Sequence, residues 1–150
     1  MGDRQRALVD VRIAVHQEGT VLMLQRCDSL FPGRWNLPGG HALPGEDALT
    51  AAIRELLEET CLAALAAALE FACVSHIRPP GRDEKVSFTF LCHRWSGSAS
   101  VEEPDKFSAL TWWPVTQPPA PIMLQADEAL RMIRSGQRFS AYGLSNPVPR

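Results

Sequence analysis

One arginine and three glutamates sit close enough in the sequence to act as a unit. Arg54-Glu55-Leu56-Leu57-Glu58-Glu59 lies inside Glu46–Thr60, a run of good helix formers with no Pro or Gly. On a helix, Glu55, Glu58 and Glu59 fall at i, i+3 and i+4, so their carboxylates share one stripe. Ala48, Ala51 and Ala52 continue that stripe and leave it uncrowded. Leu49, Ile53, Leu56 and Leu57 are expected on the opposite side, facing a core. Like charges at these spacings repel by roughly 0.2–0.5 kcal/mol per pair. Glu58 and Glu59 also lie near the helix C-terminus, where the macrodipole disfavours anions. Arg54 offsets part of this. A hard divalent cation with oxygen ligands would offset more. Most acidic runs are solvated faces, so the acids alone leave both readings open.

The spacing around them decides. Gly40, five residues, Glu46, seven residues, then Arg54-Glu55-Leu56-Leu57-Glu58-Glu59 resembles the Nudix signature. The motif is long, with fixed glycine and polar positions filled in register over residues 40–62. One position departs: Cys61 stands where the family places Gly. Gly there would supply a left-handed helix cap. Cys61 in that conformation would cost on the order of 1 kcal/mol.

The resemblance implies roles residue by residue. Glu58 and Glu59 become metal ligands, Glu55 a ligand or the group that orients water, and Arg54 the residue that steadies Glu55. Glu46 opens the helix and stabilises its loop through the dipole or a salt bridge. The Gly40 carbonyl contacts metal. The implied cofactor is Mg²⁺, with Mn²⁺ as a substitute. Some family members use an acid well downstream as general base. Glu103 is the candidate here, with Glu102 and Asp105 as rivals. The implied reaction is hydrolysis of a diphosphate linkage in a nucleotide, with a metal-activated water attacking phosphorus. Small size and absence of added domains look MutT-like, which favours a nucleoside triphosphate, oxidised ones included, going to monophosphate and pyrophosphate. The alternatives are ADP-ribose or another nucleotide sugar, for which Pro79-Pro80 gives slight support, and a nucleotide-sensing domain without catalysis.

Substrate-binding candidates are less sharply defined. Arg26, Arg34 and Lys85 could meet phosphates, as could Arg78 and Arg82, although each is also an ordinary surface charge. Trp35, Trp95, Trp112 and Trp113 could stack a base. Trp112 and Trp113, as neighbours on a strand, must point to opposite faces, so one belongs to the core. His16, His41, His76 and His93 show no metal-ligand spacing.

These residues need a scaffold, and 150 residues with 45% hydrophobic and 21% charged content is the size and make-up of one globular domain. A net charge of −2 argues against polymeric nucleic acid or an anionic membrane as partner. A nucleotide must then be held locally by metal and a few basic residues. The N-terminus lacks an apolar signal core, and no apolar run is long enough to span a bilayer. Cys27, Cys61, Cys73 and Cys92 are scattered without a CxxC, which fits a reducing cytoplasm. A homodimer is compatible with such a fold, though no residue argues for it.

Along the chain, Val9–Val15 alternates as a half-buried strand, and Val21–Arg26 is its hairpin partner, buried on both faces. Trp35–Pro38 is extended, and Gly39-Gly40 allows close backbone approach. Residues 62–68 remain between helix and turn. Strands are expected at 69–77, 85–95 and 109–113, and a final helix near Ile122 with Ala126, Ala129, Leu130 and Ile133 inward. The tail from about 136 to 150 looks loosely held. The pattern predicts an α/β (α+β) domain. The resemblance makes this an α/β/α sandwich with a mixed sheet and the motif helix packed on it.

Overall fold

A computed structural model describes residues 4–145. Its central strand is β1 (Leu8–Gln17), joined to β2 (Thr20–Arg26) by the expected turn. The sheet runs β3 (Trp35–Asn36), β2, β1, β6 (Lys85–Cys92), β5 (Leu69–Ile77), β8 (Phe139–Tyr142). Two further strands join it: β4 (Gly39–His41) pairs with β1, and β7 (Phe107–Pro114) with β2. β1–β6 and β5–β8 are parallel and the other pairings antiparallel, so the sheet is mixed as expected.

Helices cover both faces. Val11, Ile13 and Val15 pack with Ala51, Ala52 and Leu56 of α1 (Ala48–Thr60). Ala14, Met23 and Cys73 pack with Ala126, Leu130 and Met132 of α2 (Leu124–Ser135). Alternate strand residues point to opposite faces, so α1 and α2 lie on opposite sides of the sheet. β1 is therefore not half-buried. Asp10 is 0% and Arg12 7% exposed, because the α2 side is covered as well.

Three local readings change. The inward face of α1 is built on Ala51, Ala52 and Leu56, whereas Leu57 is 49% exposed. The small alanines let the helix approach the sheet closely, and the acid stripe lies at that seam rather than opposite it. The helix begins at Ala48, capped by Asp47, whose carboxylate accepts from Thr50 N at 2.8 Å. Residues 62–68 resolve into a bridge between Ala63 and Ser96 and a short 3₁₀ turn at Ala66–Ala68.

The segment from 136 is not a loose tail throughout. Phe139–Tyr142 forms β8 against β5, and Ser140 is buried with its hydroxyl 2.9 Å from that of Ser75. The rest of the expected tail, 146–150, lies outside the described residues. No helix among the described residues is long and apolar enough to cross a membrane.

Cys61 does take the family glycine's conformation. It caps α1 at φ 63°, ψ 11°, and its N–H donates to Leu57 O at 3.0 Å. The left-handed cap is kept at the expense of steric strain that Gly would not suffer. Cys61→Gly should therefore raise stability by about 0.5–1 kcal/mol, after Gly's greater unfolded-state freedom is subtracted. Thermal and urea unfolding of the pair would measure this, and an unchanged or lower midpoint would contradict it.

Candidate active site

The register of β4 on β1 places the glycines of the motif. Val11 pairs with Gly40 and Arg12 with Gly39. A Cβ on Gly40 would lie 2.5 Å from Glu55 Oε1, and one on Gly39 would lie 2.0 Å from Val11 O. Only glycine lets the helix carboxylates come this close to the strand backbone.

Arg54 organises the outer side of this contact. Its Nε and Nη2 donate to the two oxygens of Glu46 at 2.8 and 2.9 Å, a bidentate pair. Nη1 donates to Glu55 at 3.0 Å and Glu58 at 3.1 Å, and Nη2 also to His41 O at 3.1 Å. Glu46 thus acts by salt bridge, from just before the helix, and its remaining contact takes the Leu43 N–H at 2.8 Å. Hydrogen bonding from Arg54 holds the Glu46 carboxyl down at about 2.

Glu59 is the inner acid. It is 3% exposed, with Oε1 accepting from Gly39 N at 3.3 Å and Oε2 buried without a partner. Burial and the neighbouring Glu55 charge push its pKa well above the ordinary carboxylate range. Glu58 differs from the expected shared stripe: its side chain is 51% exposed and turned toward Arg54. Among the described residues, no three His, Cys, Asp or Glu side chains converge as a ready-made cation site. The residues nonetheless suit a divalent ion. Two hard oxygen donors adjoin, one oxygen is orphaned, and their repulsion is only partly compensated by Arg12, Arg54 and Lys106.

Glu55, Glu59, Gly39 and Gly40 line a cleft of about 800 Å³ that continues to the α2 side. Of the basic candidates, Arg26, Arg34, Arg82 and Lys85 line it and Arg78 does not. Arg26 is ion-paired with Asp28 at 2.7 Å, and both Arg26 and Arg82 stack on Phe31, 4.7 and 4.6 Å from its centroid. Burial pushes the Lys85 pKa down, as do the charges of Arg12, Arg82 and Arg26.

Two anticipated residues are placed differently. Trp35 is 8% exposed and packs edge-on against Trp113 at 5.4 Å, so it is core and not part of the cleft. Trp112 turns to the other face and stacks on Trp95, and no tryptophan lines the cleft. Glu103 does not line it either. Its carboxylate accepts from Lys106 Nζ at 3.0 Å, and its charge reaches Glu59. Glu102 and Asp105 do not line the cleft. Of the histidines, His41 lies in the cleft 3.3 Å from Asp10, whereas His76 is held by Glu84.

Sequence reasoning missed Asp10, Arg12, Lys106 and Gln125, all of which line the cleft. Asp10 and Arg12 carried a usable signal: two charges on the supposed solvent face of the central strand. Lys106 and Gln125 carried none, since both are common surface residues.

Residues 6–133 match the NUDIX domain family model. A Bacillus subtilis (strain 168) protein named provisionally as an 8-oxo-dGTP diphosphatase is 38% identical over 76 residues, 51% of this chain and 47% of the relative. An RNA pyrophosphohydrolase of Erythrobacter litoralis (strain HTCC2594) is 44% identical over 61 residues, 41% of this chain and 37% of the relative. The chain thus spans about half the length, or less, of these curated relatives. Among solved structures, the MutT NUDIX hydrolase from Burkholderia pseudomallei superposes with TM-score 0.79 at 29% identity, covering 86% of this chain and 99% of that one.

Glu59 makes stability depend on pH in a definite direction. Its folded pKa lies above the unfolded value near 4.5, so the folded state binds the proton more tightly. That contribution is present below the unfolded pKa and is lost as pH rises through the folded one. Glu59→Gln should stabilise the metal-free protein at pH 8 by on the order of 1–3 kcal/mol, the scale of an unsatisfied buried group. The difference should shrink toward pH 5. Calorimetry with chelator at both pH values tests this, and a difference independent of pH would refute it.

Proposed function

This chain belongs to the NUDIX family, and from that premise we propose that it is a divalent-metal-dependent pyrophosphohydrolase. Its proposed substrate is a nucleoside triphosphate, oxidised ones included, cleaved to monophosphate and pyrophosphate. The observation that carries this reading is the buried Glu59 oxygen without a partner, beside Glu55 and against a glycine backbone. Both relatives' names describe cleavage of a diphosphate linkage, which supports the same class of reaction.

Glu55, Glu58 and Glu59, with the Gly40 carbonyl, would hold Mg²⁺ or Mn²⁺, which when bound supplies phosphate charge neutralisation and water activation. Glu58 is half exposed and has the rotamer freedom to leave Arg54 for that set. Arg54 fixes the position of Glu55 by holding it, Glu46 and the His41 carbonyl together. Arg26, Arg34 and Lys106 meet phosphate oxygens from the cleft walls. Glu103 is the proposed downstream base, placed where its charge is felt at Glu59 and steadied by Lys106. The four free thiols suit a reducing cytoplasm.

A second reading, ADP-ribose or another nucleotide sugar, draws on Pro79 and Pro80, which form part of the cleft wall. A purely sensing domain is disfavoured by the retention of Glu55, Glu58 and Glu59. A panel of nucleoside triphosphates, 8-oxo-dGTP, ADP-ribose and 5′-triphosphorylated RNA, assayed with Mg²⁺ or Mn²⁺, should give pyrophosphate and monophosphate from the triphosphates. Glu58→Gln should lower kcat by about 100-fold or more while the fold persists by circular dichroism. Turnover of ADP-ribose alone would favour the second reading, and no turnover with any divalent ion would defeat both.

A further inference from the structure

Four buried polar side-chain atoms lack a partner among the described residues, and Glu59 Oε2, Arg12 Nε and Tyr142 Oη all belong to residues of the one cleft. Buried polar atoms are nearly always paired, so this clustering calls for an explanation. Glu59 marks the acid end, on the α1 side. Tyr142 marks the other end, on the α2 side, and Arg12 lies between the two, its charge felt at both.

The stretch of cleft from Arg12 to Tyr142 is rich in donors. Asp10, 0% exposed, is fully engaged: it accepts from Ser87 Oγ at 2.9 Å, pairs with Arg12 at 3.2 Å and lies 3.3 Å from His41 Nδ1. Arg12 also donates to Gln125 Oε1 at 3.0 Å. Because Arg is donor-only, this contact fixes which way the Gln125 amide points. Its carbonyl is taken, and no acceptor among the described residues takes its NH₂. Lys85 and Tyr142 share one rung of the sheet through Ile77, and both line the cleft. Burial pushes the Tyr142 hydroxyl up to about 12, so at physiological pH it stays neutral and can donate or accept. Phe107, Met123 and Pro79 add apolar wall to the same cleft. Arg12 is ion-paired with Asp10, so it offers donors with its charge already compensated. A heterocycle with oxygen acceptors matches such donors.

We propose that Arg12, Gln125, Tyr142 and Lys85 form a specificity subsite for nucleobases whose inner edge carries an oxo group, guanine, hypoxanthine or uracil, over those carrying an amino group there, adenine or cytosine. The inference rests on the nucleotide reading of the cleft but not on catalysis. At Arg12, Lys85 and the Gln125 NH₂ an amino group would set donor against donor, leaving both unpaired, whereas guanine and hypoxanthine present O6 as an acceptor. The oxo position at C6 matters here, so hypoxanthine, without the 2-amino group, should serve as well as guanine.

Calorimetric binding of monophosphates, without added metal and without turnover, tests this directly. IMP and GMP should bind at least about tenfold more tightly than AMP, and UMP more tightly than CMP. Gln125→Leu should reduce that ratio severalfold. Tyr142→Phe should leave the melting temperature unchanged or raised, since the lost hydroxyl had no partner in the protein. Equal affinity for IMP and AMP, or an undiminished ratio in Gln125→Leu, would overturn the proposal. Selective IMP binding with no triphosphate turnover would uphold it while defeating the catalytic reading, and turnover without selectivity would do the reverse.

Discussion

The structure depends on how closely α1 approaches the backbone of β4. Ala51 and Ala52 seat the helix on β1, and β1 in turn holds Gly39 and Gly40 in register. At that separation the Glu55 carboxylate occupies the space of a missing Cβ. The same approach drives Glu59 under cover, where its second oxygen finds nothing in the protein. A hydrophobic contact thus places charge where hydrophobic contact alone would never favour it. The compensation has to come from a ligand, and this is the physical sense in which the fold anticipates a cation.

Arg54 relieves part of the repulsion within the cluster. It binds Glu46 by two donors and reaches Glu55, Glu58 and the His41 carbonyl with the rest. Such a hub lowers repulsion on the solvent side of the helix but leaves the inner acid untouched. Electrostatic tension is therefore confined to Glu59, beside the glycines, rather than spread over the acid run. Glu58 sits half exposed at the rim, its carboxylate held by Arg54.

Legibility in the sequence followed the nature of each signal. The helix and the strands announced themselves through periodicity and the motif acids through fixed spacing, while the mixed sheet followed from the family resemblance. The Cys61 departure was visible too, and the cap geometry persisted despite it, because the chain leaving α1 is fixed by tertiary pairing of Ala63 with Ser96. What failed to show was long-range burial. Leu57 looks like a core residue on a helical wheel, yet the docking angle selects alanines instead. Trp35 looks like a base platform, but its ring is taken by Trp113. Phe139–Tyr142 has too few residues to declare itself as a strand, and only β5 gives it a partner. Gln125 gains its meaning solely from Arg12, 113 positions away.

The two ends of the cleft differ in kind, and β1 connects them. Its odd residues Val11 and Ile13 support α1 and the acids, while its even residues Asp10 and Arg12 line the donor-rich stretch. A strand can serve both ends only because its alternation sends successive side chains to opposite faces, and because β4 beside it is glycine where the cleft passes from one face to the other. Displacement of β1 would move the acids and the donor-rich stretch together. Changes confined to one side chain can alter either end alone. The proposed phosphate end and the proposed base subsite are in this way linked through a common support yet separable by substitution.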